Sequence, residues 1–164
     1  MLELTERLDL ADISEVFDTL TLPYEQRQRG RLRAATDAGR DAGLFLDRGP
    51  VLREGQYLRA ATGEVVRIQA ADEPVVTAHV TAGLPLARLC YHLGNRHVSL
   101  AIGEANNGEG WVRFPPDHVL EELAERLGAR LEHHEAPFDP EPGAYNQAGH
   151  HQGHAHDHGH HHAH

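Results

Sequence analysis

The chain has 164 residues, and its 25 acidic side chains outnumber 15 basic ones to give a formal charge of -10 with histidine neutral. That balance argues against nucleic acid as a partner, because phosphate is held by clustered Lys and Arg. Hydrophobic residues make up 40% of the chain and aromatics 5%, enough for one ordinary domain or two small, modestly stable ones. A single cysteine, Cys90, excludes an intramolecular disulfide and fits a reducing compartment. The start, MLELTERLDL, lacks the basic residues and apolar run of a signal peptide, and no stretch approaches the roughly 18 apolar residues of a membrane span. The expectation is a cytoplasmic protein without a membrane partner.

Residues 1–72 carry short apolar segments separated by turn residues: RGRLRAAT, GLFLDRG, QYLRA and GEVVRIQA. Gly39, Gly43, Gly49, Gly55 and Gly63 fall between or beside them, where reversals need positive φ or tight backbone. This reads as a small β-rich domain that ends near ADEP.

Residues 73–142 read as strand, helix, strand, strand, helix, strand. VVTAHVT alternates. LPLARLCYHLG places Leu86, Leu89, Cys90 and Leu93 at helical spacing, with Gly94 suited to a left-handed helix end. HVSLAIG alternates again, with Val98, Leu100 and Ile102 on one face and His97 on the other. WVRF follows a loop. PDHVLEELAERLG has an apolar stripe through Val119, Leu120, Leu123 and Leu127, Pro116 suited to the first turn and Gly128 to its close. ARLEHHEAPF is the last strand. The order βαββαβ is that of a ferredoxin-like domain, so the fold class is α+β. With two helices on one sheet face, His79, His97 and Trp111 fall on the other, which needs a partner, a loop or the first domain to cover it.

After Pro137 the composition changes, and residues 143–164 contain no Leu, Ile, Val or Phe, which predicts a disordered tail. Nine of the chain's 15 histidines lie there: His150, His151, His154, His156, His158, His160, His161, His162 and His164. Neutral imidazole coordinates nickel, copper, zinc and cobalt at cytosolic pH, and the Gly and Ala between these histidines let the backbone wrap an ion. A chain without fixed geometry binds in order of intrinsic affinity, copper ahead of nickel. The tail therefore collects metal without choosing it. A choosing site has to lie on the folded part, where His97 in YHLGNRH is the leading candidate: beside a twofold axis, two copies would give one ion two imidazoles. His92, His118, His133 and His134 are weaker candidates, better read as surface or structural. Cys90 reads as a core thiol. The chain has no HExxH, no cysteine pair, no GxSxG and, lacking Lys, no phosphate-binding loop, so nothing in it argues for an enzyme.

Taken together, DTLTLPYEQRQRGRLRA, GLFLDRG, YHLGNRHVSL, PDHVLEEL, PFDPEPGAY and the histidine-rich end resemble the urease accessory protein UreE family over nearly the whole chain. The resemblance implies an N-terminal β-domain likened to peptide-binding modules and a ferredoxin-like metal-binding domain through which the protein forms a homodimer. It implies delivery of Ni(II) to the urease apoprotein through the accessory GTPase UreG, with Zn(II) and Cu(II) able to occupy the same imidazoles. His97 matches the family's interfacial ligand. His118 matches one of a second histidine pair found in some relatives; Pro116 occupies the other position and has no side-chain donor. The rival readings are a nickel or zinc buffer, which would need only the tail, and a zinc hydrolase, which would need three fixed ligands and an open position.

Overall fold

The computed structural model describes residues 1–143, so the tail histidines lie outside the described residues. Two sheets organise what is described. The first has six strands: β1 (Leu2–Leu8), β2 (Asp18–Leu22), β3 (Arg31–Ala35), β4 (Asp41–Phe45), β5 (Tyr57–Ala60) and β6 (Val65–Ala70), in the order β2-β6-β5-β1-β4-β3. A one-turn helix, α1 (Tyr24–Arg27), follows β2. β1 runs parallel to β4 and β2 parallel to β6, whereas the other pairings in this sheet are antiparallel. Leu4, Leu20, Leu44, Leu58, Val66 and Ile68 are buried together and form one core beneath the sheet. The sequence reading found β3 to β6; β1 and β2 went unassigned, because their partners lie far along the chain. Gly39, Gly55 and Gly63 have the positive φ expected of reversals, whereas Gly43 sits inside β4.

Asp18 at the start of β2 fastens this sheet to the β3–β4 turn. It accepts from the Thr19 amide at 2.8 Å and from Arg40 Nη1 at 2.9 Å. Burial pushes its carboxyl up, but the Thr36 hydroxyl, the Arg40 guanidinium and the Thr19 and Ala38 amides outweigh burial and hold it below its usual value. A depressed folded pKa gives stability that is present above the unfolded pKa and lost as pH falls through the folded one. Asp18→Asn should therefore lower stability at neutral pH and flatten the acid-side loss below about pH 4, measured by denaturant unfolding at stepped pH. An unchanged acid slope would show that Asp18 does not carry it.

The second sheet contains β7 (Asp72–Thr81), β8 (Ala101–Glu104), β9 (Glu109–Phe114) and β10 (Arg130–Pro137), in the order β10-β7-β9-β8 and antiparallel throughout. Helix α2 (Leu84–Gly94) joins β7 to β8 and helix α3 (His118–Arg126) joins β9 to β10. Leu89 and Leu93 of α2 and Leu120 and Ala124 of α3 pack on Val76, Ala78, Val112 and Phe114, so both helices cover one face. Asp117 caps α3: its Oδ1 accepts from the Val119 and Leu120 amides, while Glu121 accepts from the Asp117 amide at 3.1 Å. This reciprocal cap starts the helix at His118 and leaves Pro116 outside it, one residue before the cap rather than in the first turn.

The chain after β10 also departs from the composition-based reading. Phe138 is 1% exposed, Pro140 is buried, and the Glu141 amide donates to the Leu100 carbonyl at 2.8 Å. The ring of Phe138 meets Tyr24 edge-on at 5.1 Å. Arg27 of α1, also 1% exposed, donates to the carbonyls of Leu22, Leu52 and Phe138 and to Asp139 Oδ1. Residues 138–142 thus join the second sheet to the first. Their prolines fix the extended path, and the polar contacts come from arginines far away in sequence.

Candidate metal centre

The open face of the second sheet carries His79, Trp111 and, from β10, His134, as the period of two requires. Trp111 lies across Gly103 on the neighbouring strand, where any Cβ would collide with its ring, and Arg113 stacks on it at 4.6 Å. Tyr24 of the first unit and Phe138 complete an apolar patch with Val75, Ala101 and Ala136. The first unit and the residues after β10 therefore cover part of this face.

The histidines on β7 and β10 are engaged in the fold. His79 Nε2 lies 2.9 Å from Glu132 Oε2, and His133 Nε2 bonds Glu121 on α3. The hydrogen bond from His79, followed by the charge of His134, holds the Glu132 carboxyl below its usual range. Arg113 Nε donates to the buried Thr77 hydroxyl at 2.9 Å, and that hydroxyl is hydrogen-bonded to His134 Nε2 at 2.6 Å. The other ring nitrogen of His134, Nδ1, faces Glu132 Oε1 at 3.7 Å. Cys90 packs partly buried against the helix-side core, and burial pushes its thiol up, so it stays protonated.

His92, His97 and His118 differ from these three. All are exposed, and among the described residues none has a side-chain hydrogen bond. His92 meets Tyr91 edge-on at 5.2 Å on the outer side of α2. His118 is the first residue of α3. His97 follows α2 in a tightening turn, where Arg96 donates to the Leu93 carbonyl and His97 to the Gly94 carbonyl.

Two expectations about His97 are corrected by this geometry. It does not begin a strand, since β8 starts only at Ala101, and the left-handed residue is not Gly94 but His97 itself, with φ of 55°. It is the single non-glycine residue with positive φ among the described residues. The helix runs on through Gly94 and unwinds in i→i−3 steps, so the reversal falls three residues later than the glycine predicts. A side chain held in this conformation at an exposed site costs about 1–2 kcal/mol, and such strain collects where a side chain must be aimed.

Sequence neighbours of His97 and His118 meet although the imidazoles stand apart in sequence. Val98 and Asp117 line one recess of about 290 Å³ with Tyr24, Pro116 and Phe138. On the other side of Tyr24, a cleft of about 230 Å³ is lined by Ser99, Asp139 and Gly143. The last described residues therefore lie beside the segment that follows His97. Among the described residues, no three His, Cys, Asp or Glu side chains converge to hold an ion, so one chain's folded part supplies no complete site.

Two family models cover this chain: the UreE urease accessory protein N-terminal domain matches residues 3–71 and the C-terminal domain residues 73–164. The chain belongs to the urease accessory protein UreE family. It is 70% identical over 152 residues to the urease accessory protein UreE of Pseudoalteromonas translucida, spanning 93% of this chain and 89% of that one. To the UreE of Marinobacter nauticus it is 70% identical over 154 residues, spanning 91% and 85%. To that of Alkalilimnicola ehrlichii it is 52% identical over 145 residues, spanning 88% and 85%. UreE proteins are accessory proteins, not enzymes, and the two-part architecture of mostly strands is that of this family.

Proposed function

We propose that the protein is a cytoplasmic nickel carrier, a homodimer that delivers Ni(II) to the urease apoprotein through the GTPase UreG. The observation that carries this reading is His97: an exposed imidazole with no side-chain hydrogen bond among the described residues, held in a left-handed conformation that a non-glycine side chain rarely adopts. The other described histidines on the sheet are already held by partners in the fold. His79, His133 and His134 are tied to Glu132, Glu121 and Thr77.

One imidazole cannot hold nickel, so the site takes His97 from two copies about a twofold axis, with the helix-covered sheet order supporting a ferredoxin-like domain as the dimerising unit. The domains are read as 1–72 and 73–142. The tail from 143 to 164 gathers the cargo with His150, His151, His154, His156, His158, His160, His161, His162 and His164. His150 is seven residues beyond Gly143, a separation that a chain can span over at most about 25 Å, and Gly143 lines the cleft with Ser99. Zn(II) and Cu(II) suit the same ligands, so delivery to urease depends on the partner and not on the tail. His118 stands free to add a ligand, but the proline at 116 removes the donor that would pair with it.

Calorimetric titration with nickel tests the division of labour. The full chain should bind several ions, a chain ending at Gly143 about one per dimer, and His97→Ala in that truncated chain none. A truncated chain that binds nothing would place the choosing site elsewhere. The nine tail histidines alone favour a second reading, a nickel or zinc buffer. A buffer needs no partner, so recovery of a GTPase or urease with the protein from nickel-grown cells would decide against it.

A further inference from the structure

We propose that the first unit carries a carboxylate-reading surface, an arginine-lined recess beside the open edge of β3, that docks an acidic segment of a protein partner. This rests on the likeness of the N-terminal β-domain to peptide-binding modules and is independent of nickel. A recess of about 450 Å³ is lined by Arg7, Arg29, Arg31 and Arg48, with Asp47 the only acid among its lining residues. In a chain of formal charge -10 this local excess of cations runs against the overall balance.

The arginines are placed, not scattered. Arg7 donates to the carbonyls of Asp47 and Pro50, so that its guanidinium braces the loop, while its shielded Nε has no partner among the described residues. Gly49 admits it: a Cβ there would lie 2.9 Å from Arg7 Nη1. Arg31 lies over the ring of the part-exposed Phe45 at 5.5 Å, which holds a planar fork facing outward. Arg29 shares Glu25, but Arg31 and Arg48 form no ion pair among the described residues. Exposed cations with no internal partner are free to meet carboxylates, and a planar guanidinium binds them in pairs of hydrogen bonds.

The neighbouring backbone favours an extended ligand over a small ion. β3 is an edge strand. Leu46 donates its amide to Gly30 and Thr36 donates to Arg40, so in this antiparallel ladder the even-numbered residues of β3 face β4. Asp37, next in the outward row, already donates to the Thr19 carbonyl of β2, but Arg31 and Arg33 turn their N–H and C=O groups outward, where an added strand would pair with them and set its carboxylates beside Arg31 and Arg48.

Amide-resolved NMR titration of the full chain with a capped polyglutamate peptide tests this. Shifts are expected in residues 29–33 and 46–49, with affinity falling about tenfold in Arg31→Gln/Arg48→Gln and falling again as salt is raised. Both side chains are exposed, so the variant should fold; if it does not, Arg48→Gln alone reads the site. The His97→Ala protein should bind the peptide as wild type does, so failure of the nickel site and failure of this surface give different results. Absence of shifts in these segments, or unchanged affinity in the folded variant, overturns the proposal. Inorganic phosphate producing the same shifts at the same concentration also overturns it, in favour of a small-anion site.

Discussion

Arg27→Ala should lower the unfolding free energy by about 3–5 kcal/mol, the largest loss expected from any single substitution in the described chain. The guanidinium is 1% exposed and spends its donors on three carbonyls and one carboxylate. Truncation leaves the Leu52 and Phe138 carbonyls without this donor and opens a cavity beneath Tyr24, whose ring Arg27 faces at 5.6 Å. For a chain of this size the loss corresponds to a melting temperature lower by about 10 °C or more. Arg53 also reaches Asp139 Oδ2 and the Pro140 carbonyl, so part of the latch survives. Residues 138–142 should therefore become sensitive to protease before either sheet unfolds. Arg27→Lys should recover little, since one ammonium cannot span acceptors arranged around a planar fork. Denaturant unfolding with limited proteolysis reads both effects. A loss under about 1 kcal/mol would mean that Arg27 does not hold the two units together.

His97→Gly should abolish the central nickel site and yet leave stability within about 0.5 kcal/mol of wild type. Relief of the left-handed conformation contributes about 1 kcal/mol, and the greater freedom of glycine in the unfolded chain takes back about 0.4–1 kcal/mol. His97→Ala loses the same ion while keeping the strain, so it should be the less stable of the two by some tenths of a kcal/mol. Nickel titration of both variants in the chain ending at Gly143, alongside thermal unfolding, makes the comparison. If His97→Gly retains an ion, the site does not depend on this imidazole. If it is markedly destabilised, the turn serves the fold and its strain carries no functional meaning.

The open face of the second sheet shows how far pattern alone reaches. Alternation along β7 and β9 placed His79 and Trp111 on it correctly, because neighbouring Cβ atoms must point to opposite faces. The same rule misplaced His97, since a strand was extended backward through a segment that is still unwinding from α2. Local alternation cannot report where a helix has finished tightening. Glu132 and Thr77 were not foreseen either. They matter because β10 pairs with β7, a register set between residues more than fifty positions apart.

Sequence by itself determined the family, both helices of the second unit, four of the six strands in the first sheet and the histidine content of the tail. Each is written in local periodicity, motif or composition. Tertiary structure alone decided which of the described imidazoles lack side-chain partners, where residues 138–142 run and which arginine joins the two sheets. In QRQRGRLR nothing distinguishes Arg27 from Arg29 or Arg31. Only the return of Phe138 and Asp139 over α1 buries the first and leaves the others facing water, because burial and hydrogen-bond partners are set by chain segments that meet across the fold.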